Sequence, residues 1–251
     1  MTGQISLWVG KEGVNRPIPP RPDVLQALRT QPLKNETVKK TAVSIPESIG
    51  SRTCYKRKFS FRELYSAYLY LPQAVRQLAK NNKTNALDKN FVERLQLAVT
   101  EVNGCAACSY AHTYMALKQG MSSEEIHSFL VGDGSFVKVE EAKALLFAQH
   151  FAAERGCPQR NAYEAVVQAY GAEKALVILA AVQTMLVGNI YGLPMSAFRS
   201  RLKGQPFEDS SWAYELGMQL GGLLVLPIAL VHGAIRSLAG GPVVQFNAVP
   251  A

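Results

Sequence analysis

From Phe59 onward, apolar residues recur every three or four positions, the period of one helix face. Leu87, Phe91, Leu95, Ala98 and Val102 form one such stripe, and Asn103-Gly104 interrupts it as a turn signal. Helical spacing resumes at Cys105 and ends near Gly120, after which Ser122-Ser-Glu-Glu125 reads as a capping box opening the next helix. A further stripe lies within 139–153, on Ala142, Leu145, Leu146, Gln149 and Ala152. Residues 172–190 are apolar on nearly every side, as suits a helix buried at the centre. No stretch of any length alternates as a strand would, so the expected fold class is all-α.

Residues 216–235, from Leu216 to Ile235, need separate weighing. They carry no charge, are interrupted only by Gln219 and His232, and contain Gly217-Met-Gln-Leu-Gly221. Twenty such residues are enough to span a bilayer, and a GxxxG spacing permits close helix packing there. Pro227, four glycines and basic residues on both sides (Arg199, Arg201 and Lys203; Arg236) argue the other way. The preferred expectation is a kinked hairpin buried in the protein or in an oligomer interface, with membrane contact as the alternative.

Composition changes this picture at the N-terminus. The chain has 251 residues, 48% of them hydrophobic and 18% charged, which excludes an overall disordered chain or a disulfide-stapled miniprotein. Of its net charge of +8, residues 1–58 supply +7, from 11 Lys and Arg against 4 Asp and Glu. The same segment holds six of the 13 prolines, including the run from Arg16 to Pro22, so it reads as an extended basic arm with at most a short helix around 22–30. It lacks the interleaved aromatics or helix-turn-helix pattern that specific nucleic-acid binding requires, so no nucleic-acid partner is expected. The first ten residues show neither a basic n-region nor a continuous apolar core, which points to a cytoplasmic protein, with membrane association as the alternative. Three parts result: the basic arm at 1–58, a helical domain at 59–205 and an apolar helical extension at 206–251.

Candidate chemistry sits directly after the Asn-Gly turn. On a helix starting there, Cys105, Cys108 and His112 fall at i, i+3 and i+7 on one face. Two thiols at that spacing approach closely enough for a disulfide, and the helix start offers free N–H groups and the positive dipole end, which stabilise a thiolate. His112 is placed to take the proton of Cys108 directly or through a water. A structural zinc would need third and fourth ligands, for which His112 and either Glu101 or Glu93 would have to serve. A thioredoxin-type site would follow a strand, and the preceding segment is helical. Plain burial of two small apolar thiols is the remaining alternative.

Glu93, Cys105, Cys108 and His112, with the lead-in Val102-Asn-Gly-Cys105, reproduce the pattern Glu, eleven residues, Cys, two residues, Cys, three residues, His. In this the chain resembles the alkyl hydroperoxidase D-like branch of the carboxymuconolactone decarboxylase superfamily, with a general likeness from about Phe59 to Phe198. The resemblance implies an all-helical homo-oligomer and a thiol peroxidase that needs no metal and no bound organic cofactor. It implies Cys108 as the thiolate attacking a hydroperoxide and Cys105 as the resolving thiol that closes the Cys105–Cys108 disulfide. His112 would relay the proton and Glu93 would orient it. A dithiol, such as a lipoyl group on a partner protein, would restore the pair. Ala107 departs from members that carry a second histidine before the second cysteine. The decarboxylase branch works without the cysteine pair, so redox chemistry rather than lactone chemistry is implied.

The other candidates are weaker. Cys54, in Arg52-Thr-Cys-Tyr-Lys-Arg-Lys58, reads as a lone surface thiol, and Cys157 before Pro158 as a structural residue at a helix start. His127, His150 and His232 have no spaced partners and read as packing or surface residues, and the Asn-Gly turn takes Glu101 off the cysteine face. A non-catalytic binding or membrane-docked protein built on the same helices is the expectation from a different class.

Overall fold

The computed structural model describes residues 53–247; the basic arm up to residue 52, with the short helix expected around 22–30, lies outside the described residues. Among the described residues there are eight helices and no strand, in agreement with the all-α expectation. They are α1 (Phe61–Tyr68), α2 (Leu71–Thr84), α3 (Lys89–Asn103), α4 (Ala106–Lys118), α5 (Ser123–Val131), α6 (Ala142–Ala153), α7 (Arg160–Leu202) and α8 (Trp212–Leu238).

Local chemistry sets most of the boundaries. Ser60 caps α1 in a reciprocal capping box, its hydroxyl accepting from the Glu63 N–H while the Glu63 carboxylate accepts from the Ser60 N–H. Asp88 caps α3, which ends at Gly104 with φ of 73°, a left-handed position that glycine adopts without a Cβ clash. Ser122 caps α5 through the Glu125 N–H, but the expected box is only half formed. The Glu125 carboxylate is taken instead by Arg94 at 2.9 Å, a stronger, charge-assisted partner than the Ser122 amide.

α7 is the axis of the molecule and packs against α1, α2, α3, α4, α6 and α8. Its apolar stretch is 72% buried, and Ile178, Ala181 and Val182 are fully enclosed, so this is the expected central helix. It breaks at Gly171, where φ 78° and ψ 160° are open only to glycine, and continues past Pro194 without ending. α3 packs against α4, α5, α6 and α7. Leu87, Phe91, Leu95 and Ala98 are buried as their spacing predicts. On α6 the buried face is Ala144, Leu145, Phe147, Ala148, Phe151 and Ala152, whereas Leu146 is exposed. The face assigned from sequence was therefore rotated, because Phe147 and Phe151 bury more area than Leu146 and Gln149 and turn the helix toward themselves.

Residues 216–235 correct the hairpin expectation. They form no hairpin and lie within the single helix α8, which packs on α1, α2 and α7 and has Pro227 inside it. Arg201 anchors the start of α8 by donating through two nitrogens, each at 2.8 Å, to the fully buried Glu215 carboxylate. Gly233 allows the helix to lie against the Leu69 backbone, where a Cβ would meet the carbonyl oxygen. α7 and α8 are both long and apolar enough to cross a membrane, but only 22% of the α8 apolar stretch is buried, against the core position of α7.

Candidate active site

The cysteine pair sits where the turn after α3 delivers the chain into α4. Cys105 is the N-cap of α4, with extended backbone, and its sulfur accepts from the Cys108 N–H at 3.3 Å. The helical rise then brings Cys108 back beside it, with 5.3 Å between the two Cα atoms, and the sulfurs form a disulfide. Ser196 of α7 accepts from the Ala107 N–H at 3.2 Å, so the first turn of α4 is held from both sides.

The wall behind the sulfurs comes from α7. The Cα of Gly192 lies against the pair so closely that a Cβ there would meet both sulfurs at 2.8 Å. The Gly188 carbonyl oxygen lies 3.4 Å from the Cys108 sulfur, where the reduced thiol has an acceptor. Asn103 and Asn189 fix the register between turn and wall: the Asn103 amide donates to Asn189 at 2.9 Å, and Asn189 donates to Thr100 at 3.3 Å, all three fully buried.

His112 and Glu93 meet across α3 and α4, with Nδ1 of the imidazole 2.6 Å from the buried carboxylate. That contact fixes the ring's orientation and leaves Nε2 for other partners. Among the described residues, no hydrogen bond joins His112 to either sulfur. Both His112 and Cys108 instead line one cavity of about 480 Å³, whose other walls include Tyr68, Met185, Tyr191, Met195 and Leu226. Cys105 is fully buried, whereas Cys108 keeps 8% of its surface open. Burial pushes the Tyr68 phenol up to about 12, with Tyr191 adding to the shift, so it remains an uncharged hydroxyl at this apolar wall.

Three of the four residues singled out by spacing thus lie on the first half of α4 and its N-cap, and Glu93 reaches His112 from α3. Glu101 is not among them: it pairs with Lys56 at 2.8 Å, away from the sulfurs. Cys54 is a free, exposed thiol, and Cys157 a free, half-buried one whose pKa is raised by burial and then by Glu154 and Glu63. His150 accepts from the Gln159 N–H, His232 pairs with the Tyr65 hydroxyl, and no group of three or more His, Cys, Asp or Glu among the described residues could hold a metal ion.

Sequence reasoning missed Gly188, Gly192, Asn189 and the buried cation Arg94. Arg94 donates to both oxygens of the buried Glu141, each at 2.6 Å, and to Glu125 at 2.9 Å, locking α3 to α5 and to the start of α6 next to Glu93. Burial works against its charge, but the two carboxylates outweigh it and raise its pKa. A Gly-x-x-x-Gly spacing in an apolar helix was visible at Gly188 and Gly192, though nothing in it named a cysteine pair as its partner.

Helices around a buried cysteine pair, with a carboxylate-held imidazole lining the same cavity as Cys108, define an all-helical protein with a disulfide-forming CxxC site. Residues 70–150 match the model of the Carboxymuconolactone decarboxylase family. That matched segment holds Glu93, Cys105, Cys108 and His112. No curated protein and no solved structure matches the chain.

Proposed function

We propose that the protein is a thiol-dependent hydroperoxide reductase, an oxidoreductase working through the Cys105–Cys108 pair. The observation that carries this reading is the pair at disulfide distance beside a cavity that Cys108 shares with His112, whose Nδ1 is held by Glu93. Cys108 is the sulfur that lines the cavity, which supports it as the attacking thiolate, and the α4 N-terminus favours the anion there.

In the first step the Cys108 thiolate attacks the outer oxygen of a hydroperoxide, and the O–O bond breaks. Cys108 becomes a sulfenic acid, and the departing alkoxide takes a proton to leave as the alcohol. His112, oriented by Glu93, supplies that proton through a water or the substrate itself, since no direct bond joins it to the sulfur. In the second step Cys105 attacks the sulfenic sulfur, closing the disulfide and releasing water. A dithiol donor then reduces the disulfide and is itself oxidised to a disulfide, with a lipoyl-type group on a partner protein as the chemical class expected.

The test is consumption of an organic hydroperoxide driven by dihydrolipoamide. Wild type is expected to turn over, Cys108→Ser to be inactive, and Cys105→Ser to stop after one oxidation. A wild type that neither consumes peroxide nor forms the disulfide with it would overturn the reading.

A further inference from the structure

α8 is apolar on every side, and only one side is covered. Met218, Gly222, Ala229 and Gly233 face the body. The opposite side carries Leu220, Leu224, Ile228, Val231, Ile235 and Leu238, at steps of three or four residues, with Leu224 74% and Leu238 82% exposed. The stripe from Leu216 to Leu238 runs for about 33 Å, at about 1.5 Å per residue. Both charged residues of α8 turn inward: Glu215 is held by Arg201, and Arg236 donates to the Tyr70 hydroxyl and the Pro242 carbonyl.

We infer that this face is covered by α8 of a second copy of the chain, in a two-fold pair. The exposed aliphatic surface is on the order of 900 Å² per chain, above the roughly 300–600 Å² of the largest patch on an ordinary monomer. Doubled across a two-fold axis it falls within the roughly 1,200–2,000 Å² of stable interfaces. An uncharged aliphatic stripe is complementary to itself, so a second copy needs no other surface. A helix lying on lipid carries Lys and Arg along its edges to reach the headgroups, and α8 has no free basic side chain to do so.

The pairing bears on the cysteine site. Leu223 stands on the exposed side of α8 and also lines the cavity with Cys108. A second copy seated there extends the cavity's apolar rim and narrows the approach to Cys108. This inference does not depend on the peroxidase reading.

The experiment is sedimentation velocity of the full chain at about 10 μM, in the concentration range where stable pairs form, without detergent or lipid. Wild type is expected as two copies or a multiple of two, and Leu220→Glu/Leu224→Glu at half that mass with unchanged helical circular dichroism. Gly217→Trp is the second variant, because a Cβ at Gly217 meets nothing within 4 Å in its own protomer and a side chain there starts out into open space. It is expected to weaken the pair by roughly ten-fold or more, equivalent to about 1.4 kcal/mol. In the reduced proteins, a bulky maleimide is expected to label Cys108 several-fold faster in the halved variant. A monomeric or odd-numbered wild type, or variants that stay paired, would overturn the inference. A monomer that sediments with neutral phosphatidylcholine vesicles would assign the face to lipid instead, and equal labelling would sever the pairing from the cavity.

Discussion

Two neighbouring residues of α3 divide the work of the site: Glu93 holds the imidazole, and Arg94 holds the helix that carries Glu93. Replacing Glu93 by Gln keeps a hydrogen-bond acceptor but removes the carboxylate opposite Nδ1 of His112. Turnover is expected to fall by roughly 10- to 100-fold, read as kcat at saturating hydroperoxide. Glu141→Ala, in contrast, leaves Arg94 buried with only Glu125, at an expected loss of about 3–5 kcal/mol in chemical denaturation. A loss near zero would show that the guanidinium finds water instead. Gly192→Ala puts a methyl group 2.8 Å from both sulfurs. Overpacking of about 1–3 kcal/mol is expected, together with a slower closure of the disulfide after a stoichiometric hydroperoxide pulse.

Helix ends and helix breaks show how far a single sequence reaches. Asn103-Gly104, the Ser122 cap and the cysteine spacing were legible because each is a local rule, and local rules need no knowledge of the partner element. The Ser60–Glu63 box is equally local and was overlooked, while Glu125 was misread because its partner, Arg94, lies on another helix. The face of α6 and the role of Gly192 depend on what packs opposite, which spacing alone does not encode. Gly171 is a local case with a sharp test: only glycine tolerates its φ and ψ, and no neighbour crowds it. Gly171→Ala is expected to cost about 1–3 kcal/mol by backbone strain alone. The Arg201–Glu215 tie sets a pH dependence. Burial alone would raise the Glu215 pKa, but the Arg201 and Ser210 hydrogen bonds outweigh it and hold the carboxyl below its ordinary value of 4.5. A carboxylate with a lowered folded-state pKa adds stability that is complete above the unfolded value and fades as pH falls through the folded one. Melting temperature should therefore drop between about pH 5 and about pH 3, and the drop should be smaller in Glu215→Gln. An equal drop in the two would remove Glu215 from the cause.

For the molecule as a whole, one long helix serves both core and chemistry. α7 carries the buried centre at Ile178–Val182 and, further along, the Gly188–Gly192 wall against the sulfurs. The family match ends at residue 150, so this wall and all of α8 lie beyond it, and only the structure joins them to the matched segment. The all-helical class was readable from periodicity, yet α8 was expected as a hairpin because Pro227 and the glycines weigh against a continuous helix. Three of the four glycines are accounted for by close packing, Gly221 against Phe61, Gly222 against Leu64 and Tyr191, and Gly233 against the Leu69 backbone, whereas Gly217 faces open space.

The most direct measurement is mass spectrometry of the reduced protein after one equivalent of an organic hydroperoxide. Wild type should gain one Cys105–Cys108 disulfide per alcohol released. Cys105→Ser should carry a sulfenic acid trapped by dimedone at Cys108, and Cys108→Ser should remain unoxidised over the same time. Trapping at Cys105 in Cys108→Ser at the wild-type rate would contradict the assignment of the attacking sulfur, and an unoxidised wild type would contradict the thiol peroxidase itself.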